Sequence, residues 1–294
     1  YQVKIYPNQV QRRRLDEYLA QGRYVYNGAL EARKRAWETK HKSLTRYEQQ
    51  KQLTQQRAQD ARLAAVPVDV ERDALSRIDR SFRRFFEGCK TGARVGYPRF
   101  KGAERWHSFS CNALGHYFRD NRVRVPGIKT LIRCRGARAF IGAQKVLRVI
   151  RKVAGWYAQV VVDDGLLAPV LRPVQRAVAV DLGLTSFIVP TEGEPTPSPK
   201  FYRRALQKFK RAQRAYAKTR RGSVRCFRCV TRVARLHQRI VDQRHNFQHQ
   251  LSRRIVDNYD LIGVENLNVK GMIRNRRLSM SIADTSWSSF VEML

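Results

Sequence analysis

The chain has 294 residues, with 59 Lys or Arg against 24 Asp or Glu, a formal net charge of +35. Hydrophobic residues make up 43%, enough for real cores, which argues against wholesale disorder. No apolar run approaches the ~18 residues of a membrane-spanning helix, and residues 1–30 lack a secretory signal core, so neither membrane insertion nor secretion is expected.

At about 100–200 residues per domain, the length predicts two domains, or one with a large insertion. Tyr1 is not a natural start, so upstream residues are expected. The five cysteines are scattered and sparse, which suits a reducing compartment and gives no disulfide framework. A charge this large needs a polyanion, RNA or DNA first and an anionic membrane surface a distant second. The charge is uneven. Residues 200–258 carry 18 bases and 2 acids, Asp242 and Asp257, whereas residues 11–100 carry 21 bases and 11 acids.

Residues 1–6 alternate as a short strand ended by Pro7-Asn8. Residues 9–63, without internal Pro, read as helices. After the break at Val66-Pro67-Val68, Asp69 is placed to cap a helix with Leu75, Ile78, Phe82, Phe85 and Phe86 on one side, ending at Gly88. Short strands follow at 121–125, 145–152 and 156–163, the last two a hairpin around Ala154-Gly155. Their spacing suggests a small barrel that includes strand 1–6, with the helices of 9–100 as an insertion.

Pro169 and Pro173 mark a boundary. AVAVDLG at 177–183 is an apolar strand with SFIVPT at 186–191 as hairpin partner. Two basic helices follow, one from about 200 with Leu206, Phe209 and Ala212 on a face, the other running to about Asp257. DLIGVENL at 260–267 reads as another buried strand.

Asp181 and Glu265 thus end two apolar strands, where open α/β sheets carry their active sites. Two acids at neighbouring strand ends form a hard, oxygen-rich pocket suited to Mg²⁺ or Mn²⁺ and to phosphodiester hydrolysis. The alternative is structural, with Asp181 capping a turn and Glu265 paired with an Arg. Gly183 lets the chain turn sharply and a phosphate backbone approach.

A series of motifs runs in order along the chain: Tyr6-Pro7-Asn8, Tyr24-Val25-Tyr26-Asn27, Val95-Gly96-Tyr97-Pro98-Arg99-Phe100-Lys101, Val180-Asp181-Leu182-Gly183, Pro199-Lys200-Phe201-Tyr202-Arg203-Arg204, Val264-Glu265-Asn266-Leu267 and Ser281-Ile282-Ala283-Asp284-Thr285-Ser286-Trp287. Through them the chain resembles TnpB, the insertion-sequence-encoded transposase-associated family related to compact type V CRISPR effectors. The resemblance implies an α/β plus β-barrel fold. A wedge-like oligonucleotide-binding barrel would comprise 1–8 and 101–170, a helical recognition insertion 9–100, and a RuvC-like, RNase-H-type nuclease domain 171–294.

The resemblance further implies an RNA-guided DNA endonuclease, with Mg (or Mn) as cofactor. Its partners would be a guide RNA from the transposon end and double-stranded target DNA beside a short adjacent motif. It implies a prokaryotic cytoplasmic, nucleoid-associated location. Asp181 and Glu265 match the first and second catalytic carboxylates, and so the metal ligands. Arg72, Ser76, Arg77, Arg80, Ser110 and Asn112 lie where the family reads the adjacent duplex, and Lys200, Arg203 and Arg204 belong to a matched basic motif. The family pattern continues with a CxxC…CxxC zinc ribbon and a third catalytic Asp, neither of which is present in this chain. Zn is therefore expected only in that ribbon, and the alternative function is a nuclease-inactive RNA-guided DNA binder. A self-contained transposase is a third reading, with no motif specific to strand transfer.

Other features have plainer explanations. Cys226 and Cys229 form a CxxC whose nearest histidines are poorly spaced for zinc. Tyr24, Tyr26, Trp106 and Tyr117 can stack on bases or pack in a core. Arg12-Arg13-Arg14 can grip phosphate or face water.

Overall fold

The computed structural model describes residues 1–112, 117–119, 121–136, 142–166 and 173–294, and divides into two units, 1–167 and 168–294. Pro169, one of the two expected boundary markers, lies outside the described residues; Pro173 is among them. Among the described residues no helix is long and apolar enough to cross a membrane.

In the first unit, β1 (Gln2–Tyr6) is followed by α1 (Gln9–Lys40). Asn8 caps α1, accepting from the Gln11 backbone N–H at 2.9 Å, while the Gln11 side chain accepts from the Asn8 N–H at 2.9 Å. Leu15, Tyr18, Leu19, Gly22, Val25, Tyr26, Ala29 and Leu30 recur at helical spacing and form its buried stripe. Gly22 allows the Trp106 ring close; a Cβ there would lie 3.2 Å from Nε1. Next come α2 (Arg46–Gln59), α3 (Ala61–Ala64) and α4 (Val68–Thr91). The expected limits of α4 shift. Pro67, not Asp69, is its N-cap, with Asp69 and Glu71 in the first turn near the positive end of the helix dipole. The helix continues past Gly88 to Thr91, where Gly92 turns left-handed at φ 68°.

The strands of this unit are β2 (Ser108–Cys111), β3 (Phe118–Arg119), β4 (Arg122–Val123), β5 (Ile132–Arg135), β6 (Ala143–Lys152) and β7 (Gly155–Asp163). They form one antiparallel seven-stranded sheet in the order β2-β6-β7-β1-β5-β4-β3. β1 lies inside it, between β7 and β5, although four helices separate it in sequence from the other strands. One face buries Val3, Ile5, Phe109, Ile132, Leu147, Val149 and Ala158 in a core shared with α1 and α4. Tyr26, Trp106 and Tyr117 are core residues, whereas Tyr24 is exposed.

The second unit holds β8 (Ala177–Leu182), β9 (Ser186–Pro190), β10 (Thr196–Pro197), α5 (Phe201–Ala217), α6 (Val224–Asn258), β11 (Leu261–Val264), α7 (Val269–Met272), α8 (Ser279–Thr285) and α9 (Trp287–Val291). Its four-stranded sheet runs β10-β9-β8-β11; β9 is antiparallel to β8, and β11 is parallel to it. Val178, Val180, Leu182 and Ile188 cover one face, and with Phe187 they cluster with Leu251 and Ile255 of α6 and with Ile282, Trp287 and Phe290. Gln248 fixes α6 to the end of α8, donating to the carbonyls of Thr285 at 2.9 Å and Ser286 at 3.1 Å. The expected buried strand at 260–267 is instead short and open. Leu261, Gly263 and Val264 are exposed, because β11 is the edge strand of the described sheet and one sheet face has no layer on it. The apolar stripe of α6 also loses its cover toward the α5–α6 turn, where Val224, Phe227 and Val230 are exposed.

Candidate functional site

Parallel pairing of β8 with β11 sets Leu261 beside Ala177, Ile262 beside Val178, Gly263 beside Ala179 and Val264 beside Val180. Asp181 is the next residue of β8, and β11 ends at Val264, so Glu265 is the first residue after it, at the same end of these two strands. Alternation assigns the faces. Val178, Val180 and Leu182 point into the core, so Ala177, Ala179 and Asp181 point away from it, with Leu261 and Gly263 alongside. Asp181 and Glu265 are both exposed, and neither side chain makes an ion pair or hydrogen bond among the described residues. Neither the turn cap nor the arginine pair of the structural alternative is formed. Gly183 serves the β8–β9 turn, since a Cβ there would meet the Ser186 carbonyl oxygen at 2.6 Å.

No group of three or more His, Cys, Asp or Glu that could hold a metal occurs among the described residues. Asp284, the remaining acid of the matched motifs, is engaged at the start of α5. Its carboxylate accepts from the backbone N–H groups of Tyr202 at 2.9 and 3.0 Å and of Arg203 at 3.3 Å, and pairs with Arg244 at 3.1 Å. It thereby caps α5, whose own N-cap residue, the left-handed Lys200, offers no side-chain bond. Lys200, Arg203 and Arg204 are exposed around this helix start.

On α4, Arg72 and Arg80 are exposed and Ser76 is half-buried, its hydroxyl donating to the Arg72 carbonyl at 2.9 Å. Arg77 turns inward. It pairs with Asp73 at 2.8 Å, donates to the Ser108 hydroxyl at 3.2 Å and lies 4.8 Å from the Trp106 ring centre. Burial holds its pKa below the usual arginine value, with Asp73 opposing. Asp73 also accepts from the Ser110 N–H at 2.9 Å, which fixes β2 to α4; Asn112 follows, exposed. Asp73 was not among the sequence candidates, because an acid one turn before an arginine reads as an ordinary helix-surface pair.

Of the 18 bases in 200–258, only Arg244 and Arg253 form ion pairs among the described residues. Cys226 is buried and Cys229 half-buried, and both are free thiols. Burial pushes the Cys111 thiol up to about 12, so it stays protonated at neutral pH. Within Arg12-Arg13-Arg14, Arg12 donates to the Pro7 carbonyl at 2.9 Å, and Arg14 binds Glu17 and the Ala65 carbonyl; Arg13 is exposed.

Residues 150–276 match the family model described as "Probable transposase", and residues 1–42 match one described as "Helix-turn-helix domain". The latter stretch folds here as β1 and one uninterrupted helix through Lys40. A Streptomyces pristinaespiralis protein named "Putative RNA-guided DNA endonuclease" is 28% identical over the whole chain, which spans 73% of that protein. The Escherichia coli protein InsQ, with the same description, is 22% identical over 71% of this chain, and half of its own length is covered. Among solved structures, a CRISPR-Cas12f ternary complex aligns over 86% of this chain and 62% of its own, with 12% identity and a TM-score of 0.37.

Proposed function

We propose that the chain, whose residues 150–276 match the probable-transposase model, is a TnpB-type, insertion-sequence-encoded, RNA-guided DNA endonuclease. It hydrolyses DNA phosphodiester bonds after a guide RNA from the transposon end pairs with target DNA beside a short adjacent motif. In this reading 171–294 is the RuvC-like nuclease domain. Residues 1–8 and 101–170 are the wedge-like barrel, and 9–100 the helical recognition insertion.

The reading is supported by the parallel pairing of β8 with β11, which brings Asp181, in β8, and Glu265, directly after β11, to the same end of the sheet, with no ion pair at either among the described residues. Two uncompensated carboxylates at one end of a sheet offer hard oxygens of the kind that a divalent cation such as Mg²⁺ or Mn²⁺ takes as ligands. Such a cation, when bound, supplies water activation and stabilisation of the leaving oxygen. Asp181 and Glu265 hold it at the sheet end, and Ala177, Ala179 and Gly263 leave the adjoining face low enough for a sugar-phosphate strand to approach. Arg72, Ser76, Arg80, Ser110 and Asn112 contact the target-adjacent duplex, and Arg77 positions Ser108 and Asp73 behind them. Lys200, Arg203 and Arg204 bind phosphates at the start of α5.

The test is cleavage of a matched plasmid by the purified chain with its guide RNA in Mg²⁺ or Mn²⁺. Cutting is expected, and Asp181→Ala or Glu265→Ala abolishes it while guide binding persists. Cutting by Asp181→Ala at the wild-type rate removes the assignment. Asp284, the remaining acid of the matched motifs, is held by Arg244 and the start of α5 rather than left free, and this favours the second reading, a guided DNA binder without cleavage. Tight guide-dependent binding with no nicking in either metal selects that reading.

A further inference from the structure

One motif of the chain has no part in the roles above. Cys226 and Cys229 stand three residues apart at the start of α6, the first buried and the second half-buried. The Cys226 N–H donates to the hydroxyl of the capping Ser223 at 3.1 Å. It is one of the first-turn donors that the helix ladder does not use, so this turn can tighten without losing a ladder bond at that N–H. Residues three apart on a helix share a face. Their Cα atoms are about 5 Å apart, inside the roughly 4.4–6.8 Å that a disulfide spans, and their Cβ atoms need to close by only about 1–2 Å.

The surroundings of the pair are basic. Arg225 precedes Cys229 by four residues and Arg232 follows it by three, so both flank it on the helix surface. Arg228 lies on the same turns, and Arg220 and Arg221 lead into the helix. All five are exposed, and none makes an ion pair among the described residues. α5 contains no acid, and the first acid along α6 is Asp242, 13 residues beyond Cys229 and so about 20 Å along the helix. Among the described residues no third His, Cys, Asp or Glu completes a metal-holding group with the pair.

The other three cysteines differ. Cys89 is exposed on α4, 22 residues from the next cysteine in the sequence. Cys111 and Cys134 are buried on β2 and β5, where burial holds both thiols above their usual range.

We propose that Cys226 and Cys229 are a reversible thiol–disulfide site, oxidised by an anionic disulfide of the glutathione class that the flanking arginines attract. In the first step the Cys229 sulfur, its proton given to solvent, attacks one sulfur of oxidised glutathione. The glutathione S–S bond breaks, and one glutathione leaves as a thiolate that takes up a proton. In the second step the Cys226 sulfur gives its proton to solvent and attacks the Cys229 sulfur, which expels the second glutathione. Two protein thiols lose two electrons to form one Cys226–Cys229 bond, and one glutathione disulfide gains them to become two thiols. In a reducing compartment the pair rests as thiols and closes only under an oxidising challenge. The site uses neither Asp181 nor Glu265 and is independent of the nuclease reading.

The test treats the folded full chain with oxidised glutathione, alkylates the remaining thiols and maps the cysteines by mass spectrometry after trypsin. Cleavage after Arg225, Arg228 and Arg232 puts Cys226 and Cys229 on separate peptides. These are expected to be joined by a disulfide and parted again by dithiothreitol, whereas Cys89 is expected to keep its glutathione. Cys226→Ser is expected to leave glutathione on Cys229, the first step trapped. Arg225→Gln combined with Arg232→Gln retains the cut after Arg228. It is expected to slow the joining about tenfold and to flatten its dependence on salt. Both side chains are exposed, and an unchanged melting temperature separates the rate effect from a folding effect. Glutathione retained on Cys229 of the wild-type chain overturns the proposal. So do two alkylated cysteines at 226 and 229 in a chain whose Cys89 is modified. A joining rate left unchanged by the arginine variant overturns the attraction by Arg225 and Arg232.

Discussion

Asp284 carries more of the second unit's architecture than any local pattern around it suggests. It is 82 residues from the helix it caps and 40 from the arginine it pairs with, and its side chain is 7% exposed. Asp284→Ala removes the acceptor of three backbone hydrogen bonds and strands Arg244, so an unfolding free-energy loss of about 3 kcal/mol is expected in urea titration. Asp284→Asn keeps an acceptor oxygen and is expected to lose less. A smaller loss for alanine than for asparagine contradicts this account. Nothing near Asp284 in the sequence announces the role, because its partners meet it only through the tertiary fold. The runs before Asp181 and Glu265 were legible as strands, since both are built of apolar residues, but that the two strands pair in parallel was not. Arg77 misled in the other direction. It lies among the arginines of a helix flank, and only the placement of Asp73, Ser108 and Trp106 turns it inward.

Elements with strong local signals matched expectation most closely. The 145–163 hairpin has alternating apolar residues and forms as expected, but its turn is Val153-Ala154, one residue earlier than expected, with Gly155, at φ 123°, opening β7 opposite Lys152. α1 and α6 have the caps Asn8 and Ser223. β11 was legible as a strand but not as an exposed edge, because an apolar run specifies extended backbone without specifying what covers it. The β8–β9 turn shows how closely an element end can be constrained. Gly183→Ala places a methyl 2.6 Å from the Ser186 carbonyl oxygen, so the turn must open. A loss of about 1–3 kcal/mol is expected in urea unfolding. Cleavage is expected to fall more than stability alone accounts for, since Asp181 stands two residues before that glycine. Wild-type cleavage by a destabilised Gly183→Ala protein separates the turn from the site.

Across the molecule, charge sets behaviour more than any single pairing. The bases of α5 and α6 outnumber their acids so far that most have no partner among the described residues. Replacing Arg225, Arg228, Arg232 and Arg235 together with Gln is therefore expected to reduce the slope of log affinity against log salt. Each phosphate that these arginines neutralise accounts for roughly 0.7–0.9 of that slope, as read by filter binding of the guide RNA over a salt series. An unchanged slope places these four side chains outside the nucleic-acid interface. Composition made this bias legible without any structure, but the distribution of charge over faces was not, because it depends on which strands become neighbours.

The position of β1 has a consequence for the order of events at the ribosome. Residues 2–6 emerge before every other strand described, yet their hydrogen-bonding partners are residues 133–135 and 156–159. At 5–20 residues per second, the first strand waits roughly 7–30 s for the second of those partners to be made. During that interval it has an unpaired edge on both sides, while α1 and α4 already present the apolar surfaces that the finished sheet will cover. Nascent chains stalled before residue 156 therefore hold a half-built layer, the state in which this protein is most in need of a holdase.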